Sequence, residues 1–396
     1  MKCKKILTAL LAAACTMSGC HGDLDIMQDN KLSASNMWID ESDAETATYG
    51  IYLYMRDALK SVHDIYLCWG EFRNGLWGAG TNKTLSGVDQ TQVRTSTMSS
   101  SNAYADWSVM YKTVNQANLI LKHVPEMGIS ESVRNFSLGN AYFSRAWCYF
   151  WIARIWGDAP LALTGYESTA GDLYLPRAPK AEIFARIESD LTEAERYVTD
   201  NSDKAVATPA AVQMLKADYA LWMYRVAGGG SSYLTMAEKA IEALNLSASR
   251  LESDYAQVFS SANKLNKEVI FAVHQANGEA VNGPGYYLGW NSNYVEAAYQ
   301  NNPVPITGGN QWWWYTDRYK ALLTSVEGDT RTKLTYNRAD YGTTIKSIEW
   351  TEKGVGQMIS GARIFDSDFI LYRYAEAFLM DAEILSLIHI SEPTRL

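Results

Sequence analysis

The sequence has few cysteines, and most of them lie near its N-terminus. Five of the 396 residues are cysteine, and three of these fall within the first twenty positions. Cys68 and Cys148 are left for the body of the chain, which is too few for a disulfide framework. Cys148 stands in an aromatic helical pattern, which favours the role of a small buried hydrophobic residue.

Clustered basic residues are also missing. Lysine and arginine total 35 against 44 acidic residues, which gives a formal net charge of −9. Because nucleic-acid binding needs a concentrated positive surface, we expect no nucleic-acid partner.

The signatures of several enzyme classes are absent as well. The sequence contains no G-x-S-x-G, no H-E-x-x-H and no phosphate-binding or dinucleotide-binding glycine motif, so no enzymatic activity is expected. A surface glycoside hydrolase stays open as an alternative, because two catalytic carboxylates cannot be singled out among so many acids. No cofactor is expected. Acid-rich loops leave a structural Ca²⁺ open, although no EF-hand pattern indicates one.

Aromatic residues with a polar group are abundant. The chain has 13 Trp and 25 Tyr against 10 Phe, and such rings suit surfaces that contact half-hydrated ligands. Hydrophobic residues make up 47% and charged residues 20%, values that are typical of a globular protein rather than a disordered one.

The N-terminus has the pattern of an export signal. Three lysines precede an apolar run, residues 6–14, that is too short to span a bilayer. Met17-Ser18-Gly19-Cys20 follows and resembles the lipobox of bacterial lipoproteins. The sequence therefore predicts a signal peptide over residues 1–19 and lipidation of Cys20, with several acyl chains to give a stable anchor.

The body of the chain is predicted to be mostly helical. Apolar residues recur at steps of three and four over residues 107–124, 143–156, 181–198, 208–226 and 234–244. This spacing is typical of amphipathic helices, and paired helices of this length favour a solenoid like that of tetratricopeptide repeats. A further helix is predicted to run from Phe369 to Ile384.

Two irregular stretches, residues 68–101 and about 261–361, contain the candidate ligand contacts. A sugar ring has an apolar face edged with hydroxyls, so aromatic rings cover its face and polar groups bind its edge. Three consecutive indoles cannot all be buried on one face of a helix or strand. The candidates are Arg73 and Trp77 in the early stretch, and Tyr286, Tyr287, Trp290, Trp312, Trp313 and Trp314 in the later one.

Six short motifs occur in an order that resembles a known family. They are Asn115-Gln116-Ala117-Asn118, an Arg145-Ala146-Trp147 helix ending in Gly157-Asp158-Ala159-Pro160-Leu161, Thr208-Pro209-Ala210-Ala211, Glu268-Val269-Ile270-Phe271, Gly328-Asp329-Thr330-Arg331 and Arg373-Tyr374-Ala375-Glu376. Together with the lipobox-like segment, they are similar to the SusD/RagB family of Bacteroidetes outer-membrane lipoproteins.

This resemblance implies a scaffold of tetratricopeptide-like helix pairs with an irregular ligand-binding region. It also implies a lipid-anchored place at the cell surface and a partner, a SusC-like TonB-dependent transporter. The implied ligand is an oligosaccharide or polysaccharide delivered to that transporter; peptides are the alternative ligand. A surface repeat protein that binds other proteins stays open as a third hypothesis.

The resemblance also sets expectations about the limits of the domain. A single domain is expected over residues 20–384, with a helical part to about residue 260, the loop-rich part over about 261–361 and the start of a C-terminal helix at 369–384. Residues 385–396 resemble a translated sequencing adapter. We therefore expect a non-native tail there and a C-terminally truncated chain.

Overall fold

The computed structural model describes residues 37–80, 88–169, 173–276, 278–279, 283–309, 311 and 313–391. The chain divides into two compact units, Met1–Ile39 and Asp40–Leu396, and the fold below is that of the second. Cys20 and the predicted signal peptide lie outside the described residues.

Helices dominate the second unit, as the apolar spacing predicts. The α-helices are α1 Glu41–Gly70, α2 Val88–Thr95, α3 Ser108–His123, α4 Glu131–Trp156, α5 Lys180–Tyr197, α6 Pro209–Arg225, α7 Ser231–Glu242, α8 Tyr255–Val258, α9 Asp317–Leu323, α10 Thr330–Thr335 and α11 Tyr374–Ser391. Consecutive long helices pack against each other, α3 on α4, α4 on α5 and α6 on α7. The predicted mostly α scaffold of helix pairs is confirmed.

Side-chain caps fix where these helices begin. Asp40 and Asp43 form a capping box at α1, each accepting a hydrogen bond from the other's backbone N–H at 3.1–3.2 Å. Thr208 accepts from the N–H of Ala211 at 3.2 Å, and Pro209 occupies the first position of α6. Gly157 ends α4 with a φ of +72°, a conformation that costs glycine little.

A buried ion pair joins the helix pairs. The Arg145 guanidinium on α4 donates to both carboxylate oxygens of Asp190 on α5, each at 2.7 Å. The same guanidinium donates a third hydrogen bond to the side-chain oxygen of Asn118 on α3, also at 2.7 Å. Asn118 in turn donates to the carbonyl of Ala162 at 2.9 Å. Because Arg145 is 5% exposed and Asp190 is fully buried, this pair holds three helices and the loop after α4 in one arrangement.

The strands are short and pair in antiparallel ribbons. They are β1 Trp77–Ala79, β2 Ala159–Pro160, β3 Arg177–Ala178, β4 Val269–Val273, β5 Trp313–Tyr315, β6 Asn337–Ala339, β7 Ile348–Trp350, β8 Gln357–Ile359, β9 Ala362–Ile364 and β10 Phe369–Arg373. The pairs are β1 with β5, β2 with β3, β4 with β10, β6 with β7 and β8 with β9. Val269, Ile270 and Phe271 of the motif that begins at Glu268 lie in β4.

The start of the C-terminal helix differs from the prediction. Residues 369–373 form a strand rather than the start of a helix, because Phe369 pairs with Val273 and Arg373 with Val269. The pairing with β4 satisfies the backbone hydrogen bonds of residues 369–373, and a local apolar pattern does not reveal such a distant partner. The helix begins at Tyr374 and reaches Ser391.

Two aromatic clusters form the core of the loop-rich part. The Trp77 cluster contains Phe72, Trp77, Leu288, Trp313, Trp314 and Tyr315 among its members. The Trp290 cluster contains Trp290, Val295, Val304, Ile348 and Trp350. The Trp77 cluster also includes Ile65, Leu67 and Cys68 near the end of α1, so it joins the loops to the helical scaffold.

Cys68 and Cys148 are both buried and free, and the predicted burial of Cys148 is confirmed. Among the described residues, no helix is both long enough and apolar enough to cross a bilayer. No three histidine, cysteine or acidic side chains in those same ranges are grouped so that they could hold a metal ion.

Replacing Asp190 by alanine should lower the free energy of unfolding by about 3–5 kcal/mol, because the buried Arg145 guanidinium loses its counter-charge. The matched control is Glu193→Ala on the same helix, since the ion pair of Glu193 with Arg196 is largely exposed and should contribute about 0–1 kcal/mol. Denaturant unfolding followed by circular dichroism measures both variants. Equal losses in the two would contradict the role given to Arg145.

Candidate functional site

A cavity of about 770 Å³ lies beside the Trp77 cluster. It is lined by the end of α1, by the β1–β5 ribbon and by segments around residues 255–265, 284–288, 315–335, 351–354 and 367–376. Small-molecule sites usually enclose about 300–1,000 Å³. The cavity therefore has the size of a site for a ligand of a few rings.

Three aromatic rings form one wall of the cavity. The β1–β5 register sets Trp77 opposite Tyr315, and their rings meet edge to face with centroids 4.7 Å apart. Tyr319, in the first turn of α9, meets Tyr315 at 5.0 Å and 89°. Trp77 and Tyr315 are mostly buried, whereas Tyr319 is half-buried. Tyr319 therefore offers the most accessible ring of this wall.

Hydrogen bonds hold this wall in place. The indole N–H of Trp77 donates to Glu71 at 3.2 Å, and Asn74 donates to the same carboxylate oxygen at 2.7 Å. At the other end, the Thr316 hydroxyl donates to the carbonyl of Leu76 at 3.1 Å. These bonds tie α9 to the strand that carries Trp77, so the rings need little reorganisation when a ligand binds.

A second group of side chains lines the same cavity with cations over aromatic rings. Lys353 Nζ lies 4.3 Å from the centroid of the Phe259 ring. The Arg373 guanidinium lies 5.8 Å from that ring and 5.9 Å from Tyr255. Arg373 also forms an ion pair with Glu268 at 2.7 Å. Burial lowers the pKa of Lys353 to about 8, with the charge of Arg373 as a further cause.

Glu376, in the first turn of α11, lines the cavity near these cations. Burial raises its pKa to about 7, and the charge of Asp218 adds to this effect. Near neutral pH a substantial part of this carboxyl is protonated, and a protonated carboxyl can donate a hydrogen bond. The site thus contains cations, carboxyl groups and hydroxyls beside flat apolar rings.

The structure places few of the predicted contacts in this cavity. Trp77 lines it, whereas Arg73 is exposed and contacts the hydroxyl of Ser96 at 3.3 Å. Tyr287 packs against the Trp77 cluster. Tyr286 meets Phe365 edge to face at 5.2 Å. Whether these residues touch a ligand stays a prediction.

The placement expected for the other tryptophans needs correction. Trp290, Trp313 and Trp314 are 0%, 2% and 0% exposed. Trp290 donates its indole N–H to the carbonyl of Glu349 at 2.7 Å, and the other two form β5 with both faces of the strand covered. These three indoles are thus packed inside the protein, and their contact with a ligand stays a prediction. Trp312 lies outside the described residues.

Composition alone missed several cavity residues. Tyr66, Tyr255, Phe259, Tyr319 and Lys353 stand among ordinary helix and loop residues, and only the fold brings them together. One signal was present in the sequence: Asp329 and Arg331, and likewise Arg373 and Glu376, belong to motifs that carried the family resemblance. These four residues line the cavity, although the motifs give no hint that they converge.

Glu376→Gln should stabilise the protein more at pH 8 than at pH 5. A raised folded-state pKa means that the stability contributed by Glu376 is present below about pH 4.5 and lost as the pH rises through about 7. Glutamine is uncharged, so at pH 8 the variant avoids the cost of burying an ionised carboxylate in the cavity wall. Thermal unfolding at both pH values measures the difference, with Glu242→Gln at an exposed site as the control. An equal effect at both pH values would contradict the burial of a charge.

Comparison with known families and curated proteins shows what the sequence is similar to. Residues 79–222 match a family model described as "Starch-binding associating with outer membrane". SusD-like protein P38 of Formosa agariphila is 26% identical over 190 residues, which are 48% of this chain and 36% of that protein. The chain thus matches over about a third of the length of that curated relative.

Solved structures share the fold over most of the chain. NanU of B. fragilis aligns with a TM-score of 0.74 at 27% identity, covering 91% of this chain and 77% of that one. Surface glycan-binding protein A of Bacteroides thetaiotaomicron, solved in complex with laminarihexaose, aligns with a TM-score of 0.70 at 17% identity, covering 87% and 79%. At that identity the second likeness concerns the fold alone.

Proposed function

The chain is a SusD-like protein, and from this premise we propose that it captures oligosaccharides or polysaccharides in the aromatic cavity. The observation that carries the proposal is the wall formed by Trp77, Tyr315 and Tyr319, with polar groups on the same cavity. Aromatic rings cover the apolar face of a sugar, and carboxylates, hydroxyls and cations bind its hydroxyl groups.

Two further observations support a glycan ligand. The cavity is large enough for several sugar rings, and the wall is fixed by hydrogen bonds before any ligand binds. The relative solved with laminarihexaose shows that a protein of this fold can hold a glycan. Capture of a glycan requires no chemical step, so the proposal assigns none to the carboxyl groups of the cavity.

We also propose how the protein acts in the cell. The lipobox-like segment supports acylation of Cys20, which would anchor the protein in the outer membrane at the cell surface. The description of the matched family names the outer membrane as the place of association. The captured glycan then passes to a SusC-like TonB-dependent transporter, the partner that the family resemblance implies.

Tyr319→Ala should weaken glycan binding about twofold to twelvefold, because one stacking ring contributes roughly 0.5–1.5 kcal/mol beyond its buried area. Native affinity electrophoresis in gels cast with different polysaccharides measures this as reduced retardation. Tyr174→Ala is the matched control, since Tyr174 is 92% exposed and does not line the cavity.

Trp77→Ala should weaken retardation further, but Trp77 also belongs to a core cluster, so its folding is checked by circular dichroism. Retardation that is equal in the wild type and in Tyr319→Ala would place the binding surface elsewhere. Folded protein that no polysaccharide retards would contradict glycan capture, and release of reducing ends from a bound polysaccharide would show an enzyme.

A further inference from the structure

Building on the proposed function, we infer that the cavity takes a saccharide that carries a carboxylate, and that Lys353 binds this group. The basis is a lysine on the cavity wall that forms no ion pair with any acidic side chain of the described residues. Among the described residues, Lys353 Nζ has no hydrogen bond or ion pair, and it lies 4.3 Å from the centroid of the Phe259 ring. An ammonium group over an aromatic face keeps its charge but has no anionic partner.

The neighbouring cations are all neutralised. Arg373 is paired with Glu268 at 2.7 Å, and the other carboxylate oxygen of Glu268 accepts from the backbone N–H of Glu252 at 2.9 Å. Both oxygens of Glu268 thus accept from groups other than Lys353, and no ion pair joins the two residues within the described part of the chain. Lys264 and Arg331 have acidic partners of their own at 3.2 Å and 2.6 Å. Among these four cations of the described cavity wall, Lys353 alone lacks an acidic partner.

No acidic side chain that lines the described cavity forms an ion pair with Lys353. The Glu71 carboxylate accepts hydrogen bonds from Asn74 and Trp77 and makes no ion pair with Lys353 within the described residues. The charge of Glu71 nevertheless favours the protonated Lys353, and the charge of Arg373 opposes it. Because the pKa of Glu376 is raised to about 7, part of its carboxyl is protonated at pH 7. The protonated carboxyl can donate a hydrogen bond to an anionic ligand.

An unpaired lysine on a cavity wall is costly unless an anion arrives. Burial lowers the pKa of Lys353 to about 8, which means that the empty protein holds this charge against a desolvation penalty. A carboxylate in the cavity would supply the missing partner in a charge-assisted hydrogen bond. The aromatic wall lines the same cavity and would take an apolar sugar face, so a uronic-acid type of ring would suit both parts of the site.

The test uses polygalacturonate, alginate and hyaluronate, each beside its carboxyl-reduced neutral form, in native affinity gels at pH 7. At least one acidic polymer should retard the protein, and its reduced form should retard it about tenfold less. Lys353→Met should lose this preference, whereas Lys353→Arg should keep most of it. Lys346→Met is the control, because Lys346 is 82% exposed and only weakly paired.

A stability measurement separates binding from a structural role. Because Lys353→Met removes an unpaired charge, the empty variant should unfold at the same or a higher temperature than the wild type. A variant that loses stability together with binding would assign Lys353 to the fold instead.

The remaining outcomes distinguish this inference from the proposed function. Retardation by neutral glycans alone, or equally by acidic and reduced forms, would overturn the inference and leave glycan capture standing. Retardation by poly-glutamate with none by any saccharide would overturn both in favour of an acidic peptide. The absence of retardation by every polymer would overturn both.

Discussion

The buried ion pair between Arg145 and Asp190 is the constraint on which the rest of the fold depends. A guanidinium with almost no exposure is tolerable only when its hydrogen bonds are satisfied, and here Asp190 and Asn118 take three of them at 2.7 Å. Each partner stands on a different helix, so the helices cannot shift without breaking the pair.

The loop-rich part is connected to this rigid centre through a sheet of two strands. Phe143 on α4 packs edge to face on Phe271 of β4, with centroids 5.1 Å apart. Strand β4 pairs with β10, and the ion pair of Glu268 with Arg373 closes the same junction. Arg373 therefore reaches the cavity from an element anchored in the helical scaffold. The aromatic wall comes from the β1–β5 ribbon, which packs in the Trp77 cluster against the end of α1.

The sequence predicted the helical scaffold well because helix formation follows local spacing. The stretch 181–198 became Lys180–Tyr197, and Thr208 with Pro209 marked the start of the next helix. Residues 369–373 were expected to be helical because their apolar pattern is local, whereas the pairing that makes them a strand lies about a hundred residues away.

The candidate site was harder to predict, for a physical reason. The loop position of these tryptophans suggests exposed rings. Trp290 and Trp314 are nevertheless fully buried, because each packs into an aromatic cluster. Trp77 was found from its place in the early loop. Lys353 carries no local signal, since an unpaired charge is recognised only when its surroundings are known.

The central claim, that the cavity beside Trp77 holds the ligand, is tested most directly by hydrogen–deuterium exchange with and without a bound glycan. Protection is predicted in the cavity segments, residues 255–265 and 315–326, with little change in the outward-facing segment at 173–177. Protection confined to segments that do not line the cavity would contradict the account.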